Sequence, residues 1–96
     1  MYKSIIFFLD FHENSGLGHL NRCIKLKKIF NIRNTTFVTQ KKITISKIKC
    51  INSSFNNFIN RNKKIYDLAV FDSYNKNYYL QKKFSKFTKK IIVIDD

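Results

Sequence analysis

The most constraining feature of this chain is a compact apolar run that breaks into a glycine-punctuated polar loop and then resumes at helical spacing. Ile5-Ile6-Phe7-Phe8-Leu9 ends at Asp10, and both histidines and both glycines of the chain follow as His12, Gly16, Gly18 and His19. A buried strand, such a loop and a helix form the first unit of a Rossmann-type α/β fold. Glycine lacks a Cβ, so Gly16 and Gly18 are expected to supply positive φ and close backbone approach. A helix opening near Gly18 would aim its unsatisfied N–H groups, the positive end of its dipole, at the loop. His19 would then stand in the first helical turn, beside any anion held there.

The other apolar runs extend the same scheme. Residues 2–9 read as a strand, apolar on both faces from Ile5 onward, as in a central parallel strand. Over 18–31, Leu20, Cys23, Ile24, Leu26, Ile29 and Phe30 recur at helical spacing, with Lys25, Lys27 and Lys28 turned mostly to solvent. Thr35 to Thr39 is β-branched and aromatic, which predicts a second strand. Residues 41–60 leave two readings open: strand-turn-strand, or an irregular helix with a short strand at 47–52. Phe55, Phe58 and Ile59 suggest a helical turn or two after it. Tyr66 to Tyr74 reads as a strand entering a polar loop, 75–87 as a helix, and Ile91 to Ile94 as a further buried strand. Parallel strands need crossovers, so this alternation argues for a parallel sheet with flanking helices. Its strand tips, Leu9-Asp10, Phe71-Asp72-Ser73-Tyr74 and Ile94-Asp95-Asp96, would lie along one edge, where open α/β sheets bind ligands.

The loop carries a likeness to a known family. Gly-Leu-Gly-His-Leu-Asn-Arg-Cys, residues 16–23, resembles the G-x-G-H-x-x-R-C signature of the UDP-sugar hydrolases of pseudaminic acid biosynthesis. Asp10 stands where that family has an aspartate after its first strand; the arginine usual shortly before it has no counterpart in Phe7-Phe8-Leu9. Asp-Leu-Ala-Val-Phe-Asp-Ser-Tyr resembles the family's strand ending in Asp-x-Tyr, and Ile-Ile-Val-Ile-Asp-Asp its next strand with paired aspartates. Residues 41–64 carry no likeness. The resemblance implies one half of a GT-B architecture: a single Rossmann-like domain over 1–96, holding the sugar, with the uridine diphosphate held by a second domain absent here. It implies hydrolysis of UDP-2,4-diacetamido-2,4,6-trideoxy-β-L-altropyranose with His19 as the catalytic residue and no cofactor or metal. Substrate contacts would come from Asp10, Gly16, Gly18, Arg22, Asp72, Tyr74, Asp95 and Asp96. The missing domain would be supplied in cis or as a separate chain. Two alternatives stay open: the N-terminal half of a GT-B glycosyltransferase, and a non-catalytic basic module that binds anionic polymers.

Composition narrows the classes. Ninety-six residues make at most one small domain, which buries roughly 60–65% of the surface its unfolded chain exposes. With no proline and two glycines, turns must come from Asn, Ser, Asp and Lys. The net charge of +13 invites a nucleic-acid reading, but 16 of the 19 basic residues are Lys, and Arg is the usual reader of phosphates and base edges. The charge is therefore read as a bias toward anions, and nucleic acid is not expected as the primary partner. Cys23 and Cys50 have no C-x-x-C spacing and suit a reducing, cytoplasmic compartment. The first apolar run is far too short for a membrane span, and no membrane association is expected.

Plainer roles exist for the same residues. His19 could cap or pack at a helix start, and Asp10, Asp72, Asp95 and Asp96 could be ordinary strand-end or capping groups. Arg22 lies three residues after His19, on the same helix face. His19 and Cys23 have i, i+4 spacing, but no second ligand cluster accompanies them, so no metal site is expected. Chemically, a histidine with its pKa near about 6.5 can take or orient the proton of an attacking water. A helix N-terminus beside it can stabilise departing anionic oxygens.

Overall fold

The computed structural model describes residues 2–9, 18–45, 48–72 and 78–94. Among these residues, five strands form one sheet: β1 (Ser4–Leu9), β2 (Asn34–Thr39), β3 (Lys49–Asn52), β4 (Tyr66–Asp72) and β5 (Thr88–Val93). All neighbouring pairs are parallel, in the spatial order β3-β2-β1-β4-β5. Among the described residues, three helices lie in the connections: α1 (Gly18–Phe30), α2 (Phe55–Arg61) and α3 (Tyr78–Phe84), the last running into a 3-10 turn at Ser85–Phe87. The expected Rossmann-like α/β architecture is what the chain forms.

Alternation along β1 and β4 sorts the core onto two faces. Ile6, Phe8, Ala69 and Phe71 meet Phe55 and Ile59 of α2 and Leu80 and Phe84 of α3. Ile5, Phe7, Leu9, Leu68 and Val70 point the other way, onto Cys23 of α1. The α2/α3 face is aromatic at its centre. Phe8 stacks on Phe71 at 4.4 Å between centroids and takes edge contacts from Phe55, Phe58 and Phe84. Each such pair is worth about 0.5–1.5 kcal/mol beyond the area it buries.

Asparagine and serine do the work that glycine and proline do elsewhere. Asn31 ends α1 at φ 54°, the left-handed conformation usually left to glycine, and its N–H reaches the Lys28 carbonyl at 3.1 Å. Ser54 caps α2, its hydroxyl accepting the Asn57 N–H at 3.2 Å.

Three expectations need correction. Ile29 is 75% exposed rather than part of the apolar stripe of α1. It follows Cys23 by six residues, about 240° around the helix, whereas Lys27 lies about 40° from Cys23 and is half-buried. The helix expected at 75–87 is α-helical only over Tyr78–Phe84 among the described residues. Finally, β5 begins three residues early, at Thr88, and is not a buried strand: it pairs with β4 alone, Val93 is 41% exposed, and Lys89 and Lys90 line it. Lysines on an edge strand discourage pairing with other chains.

The middle of the chain resolves the two open readings. Ile43, Ile45 and Ile48 pack onto the α1 face, and Ile45 and Ile48 form an isolated antiparallel bridge. Among the described residues of this crossover there is no helix. The short strand is Lys49–Asn52, and α2 follows where Phe55, Phe58 and Ile59 placed it.

Candidate functional site

The strand order reverses direction at β1, because β2 lies on one side of it and β4 on the other. The C-terminal ends of β1 and β4 therefore flank the topological switch point, where open α/β sheets form their ligand crevice. Leu9 and Asp72 sit opposite each other there in the β1–β4 register. Leu68 and Val70 face α1, so the two-residue period turns Asp72 toward α1 as well. Its carboxylate is 1% exposed.

Two consecutive residues of α1 meet that carboxylate. Arg22 donates from Nε to Oδ2 at 3.2 Å and from Nη2 to Oδ1 at 2.8 Å, a bidentate fork across fifty positions of sequence. Such paired, charge-assisted bonds fix geometry as well as adding energy. The Cys23 thiol donates to Oδ2 at 3.6 Å. Burial pushes the Cys23 pKa well above the ordinary thiol range, and the neighbouring Asp72 carboxylate pushes the same way. A thiol held protonated is a weak donor rather than a nucleophile. The Arg22 side chain remains 36% exposed, so the pair has a dry end on Asp72 and a wet end on Arg22.

Further along the same edge, β2 and β3 are closed by hydrogen bonds. The Asn52 side-chain amide donates to the Thr39 carbonyl at 3.2 Å and the Gln40 carbonyl at 2.9 Å, and Ser53 N–H reaches Thr39 O at 2.9 Å. These bonds satisfy the backbone where the two strands end.

Of the residues expected at a site, Arg22 and Asp72 are brought into contact. Gly18 opens α1 as expected, but it is exposed and its φ lies outside the left-handed region. A Cβ built there would meet nothing within 4 Å among the described residues. The expected positive φ at Gly18 is thus corrected: its backbone is that of an ordinary first helical residue. The backbone of His19 lies in the first turn of α1, while the placement of its side chain is outside what is described. Asp10, Gly16, Tyr74, Asp95 and Asp96 fall outside the described residues. Cys23 was not expected to touch Asp72. The available signal was its position next to Arg22 on the buried stripe of α1.

Among the described residues, no helix is long and apolar enough to cross a membrane. No protein-family model, no curated protein and no solved structure matches this chain.

Proposed function

We propose that this chain is the sugar-side, Rossmann-like half of a nucleotide-sugar hydrolase that releases UDP from UDP-2,4-diacetamido-2,4,6-trideoxy-β-L-altropyranose. The observation that carries the reading is the Arg22–Asp72 pair at the switch point. It joins two of the three resembling blocks, far apart in sequence, at the sheet edge where a ligand crevice is expected. In this reading His19, in the first turn of α1, accepts or orients the proton of the attacking water. The N-terminus of the thirteen-residue α1 stabilises anionic oxygens of the leaving diphosphate. Asp72 holds Arg22 in one orientation at the mouth of the crevice. A second domain, in cis or as a separate chain, completes the cleft and holds the nucleotide.

The test is His19→Ala in the complete two-domain enzyme, reading turnover and stability on the same protein. Loss of a general base lowers kcat by roughly 10²–10⁴, with KM changed much less. Normal turnover in a protein less stable by about 1 kcal/mol would instead mark His19 as a helix-start residue and end the catalytic reading. The 96 residues alone should hydrolyse the substrate poorly or not at all. Adding the second domain should restore turnover.

A further inference from the structure

A second concave surface lies on the opposite face of the sheet from α1. The edge strand β3, helix α2 and the turn after it border an open groove of about 450 Å³, within the size range of small-molecule sites. Lys49, Arg61, Lys63 and Lys64 line it, over an apolar floor that includes Ile51 and Phe58. Those two floor residues are half-buried and pack against the aromatic core, so the floor is anchored to the sheet.

Part of the cationic wall, the turn after α2, is held in place, while all four cationic residues are exposed. The Asn62 amide donates to the Lys64 carbonyl at 2.8 Å, and Lys64 N–H returns to Asn62 Oδ1 at 3.3 Å, which fixes the turn carrying Lys63 and Lys64. The Lys64 ammonium lies 5.4 Å from the centroid of the Tyr66 ring, a cation–π contact. Arg61 ends α2 and offers a planar fork suited to phosphate.

Among the described residues, no Asp or Glu lines the groove, and residues 14–66 of the sequence contain neither, while carrying 12 of the 19 basic residues. The nearest acid in sequence, Asp67, is engaged elsewhere by Lys3 N–H and Lys89. Four like charges around one cavity repel one another and concentrate an anion there. An apolar floor beneath them favours an anion with a ring or other apolar body over a bare inorganic one.

We propose that this groove is a binding site for the nucleotide class of ligand, with phosphate on Arg61 and the lysines and the nucleoside against Ile51 and Phe58. The ligand is either a free nucleotide or a nucleotide within a single strand; the shared chemistry is a phosphate attached to an aromatic base. The site is independent of the Arg22–Asp72 crevice, and its failure would leave the hydrolase reading untouched.

The experiment measures equilibrium binding of ADP, pyrophosphate and a short oligothymidine to the 96-residue chain at several salt concentrations. ADP is chosen because it is not the nucleotide of the proposed hydrolase. The expected result is saturable, salt-sensitive binding. R61A/K64A should weaken it about tenfold or more, as removal of charge-assisted contacts does. K25A/K28A removes the same charge from exposed positions of α1 on the other face. It should change affinity by about twofold at most, because distant exposed charges are screened. ADP binding with this pattern supports a free nucleotide. Oligothymidine binding alone, with the same dependence on Arg61 and Lys64, supports a nucleotide within a strand. Three results would overturn the proposal: no saturable binding of either, equal losses from the two double variants, or pyrophosphate binding as tightly as ADP.

Discussion

Strand β4 carries an aspartate near each end, one partly buried and one fully buried. Asp67, near its start, accepts the Lys3 N–H at 2.6 Å and faces the Lys89 ammonium at 3.3 Å, with that lysine side chain 73% exposed. Asp72, at its end, is 1% exposed and gripped by the planar guanidinium of Arg22 and by the Cys23 thiol. Residue type and strand are the same; what differs is the element crossing each end. At the start the Asp67 side chain keeps 16% exposure, and its partners are a backbone N–H at the beginning of the chain and the exposed ammonium of a lysine on an edge strand. At the end α1 lies over the sheet and excludes water, so the carboxylate requires a fixed, bidentate partner. A pair whose lysine is exposed can loosen and re-form, whereas a carboxylate buried under a helix keeps its partner.

The sharpest way to break this contrast is Arg22→Ala. It leaves a buried carboxylate without its guanidinium and should destabilise the chain by about 3 kcal/mol or more, read from the denaturation midpoint. Alkylation gives an independent reading at the same end. In the native protein, half-exposed Cys50 should label first, because Cys23 is buried and its thiol stays protonated. In Arg22→Ala, labelling of Cys23 should accelerate as this end of the sheet opens more often. An unchanged midpoint with Cys23 still protected would show that Asp72 does not depend on Arg22.

Asp72→Asn should cost less, about 1–2 kcal/mol. Asparagine keeps the shape and one acceptor, and the partly exposed Arg22 can turn its charge to water. If Asp72→Asn proves as costly as Arg22→Ala, the asymmetry between the dry and wet ends of the pair is wrong.

Asp67→Asn should have the smallest effect, and one that high salt reduces only in part, because salt screens the Lys89 pair but not the hydrogen bond from Lys3. Its hydrogen bond from Lys3 N–H is the leading cause of a pKa below the ordinary carboxylate range, with Lys89 adding to it. A depressed pKa in the folded state contributes stability above the unfolded value of about 3.9 and loses it as pH falls through the folded value. The difference between wild type and Asp67→Asn should therefore be present at neutral pH and vanish in acid. A difference that persists unchanged at low pH would show that the carboxylate charge is not its source.

Local pattern determined most of the framework. The apolar runs at Ile5–Leu9 and Leu68–Phe71, the β-branched run at Thr35–Thr39 and the helical spacing after Gly18 each mark an element through side-chain period alone, and a period is a property of nearby residues. The shortage of glycine and proline likewise pointed to Asn and Ser at the turns, as Asn31 and Ser54 bear out. The parallel sheet followed from the alternation of strand and helix patterns, since parallel strands need crossovers.

Arg22 and Asp72 were both legible as candidates, but their contact was not. It depends on α1 crossing the end of β4, a placement set by packing between residues fifty positions apart. Only tertiary structure decided that Asp72 is fully buried while Asp67 keeps partial exposure and an exposed partner, that Cys23 faces a carboxylate, and that Val93 lies on an edge rather than in the core. It alone gathered Lys49, Arg61, Lys63 and Lys64 around one groove, because β3 and α2 meet there only once the sheet has formed. Sequence period determines which face a side chain takes on its own element; which neighbour waits on that face is determined by how the elements stack.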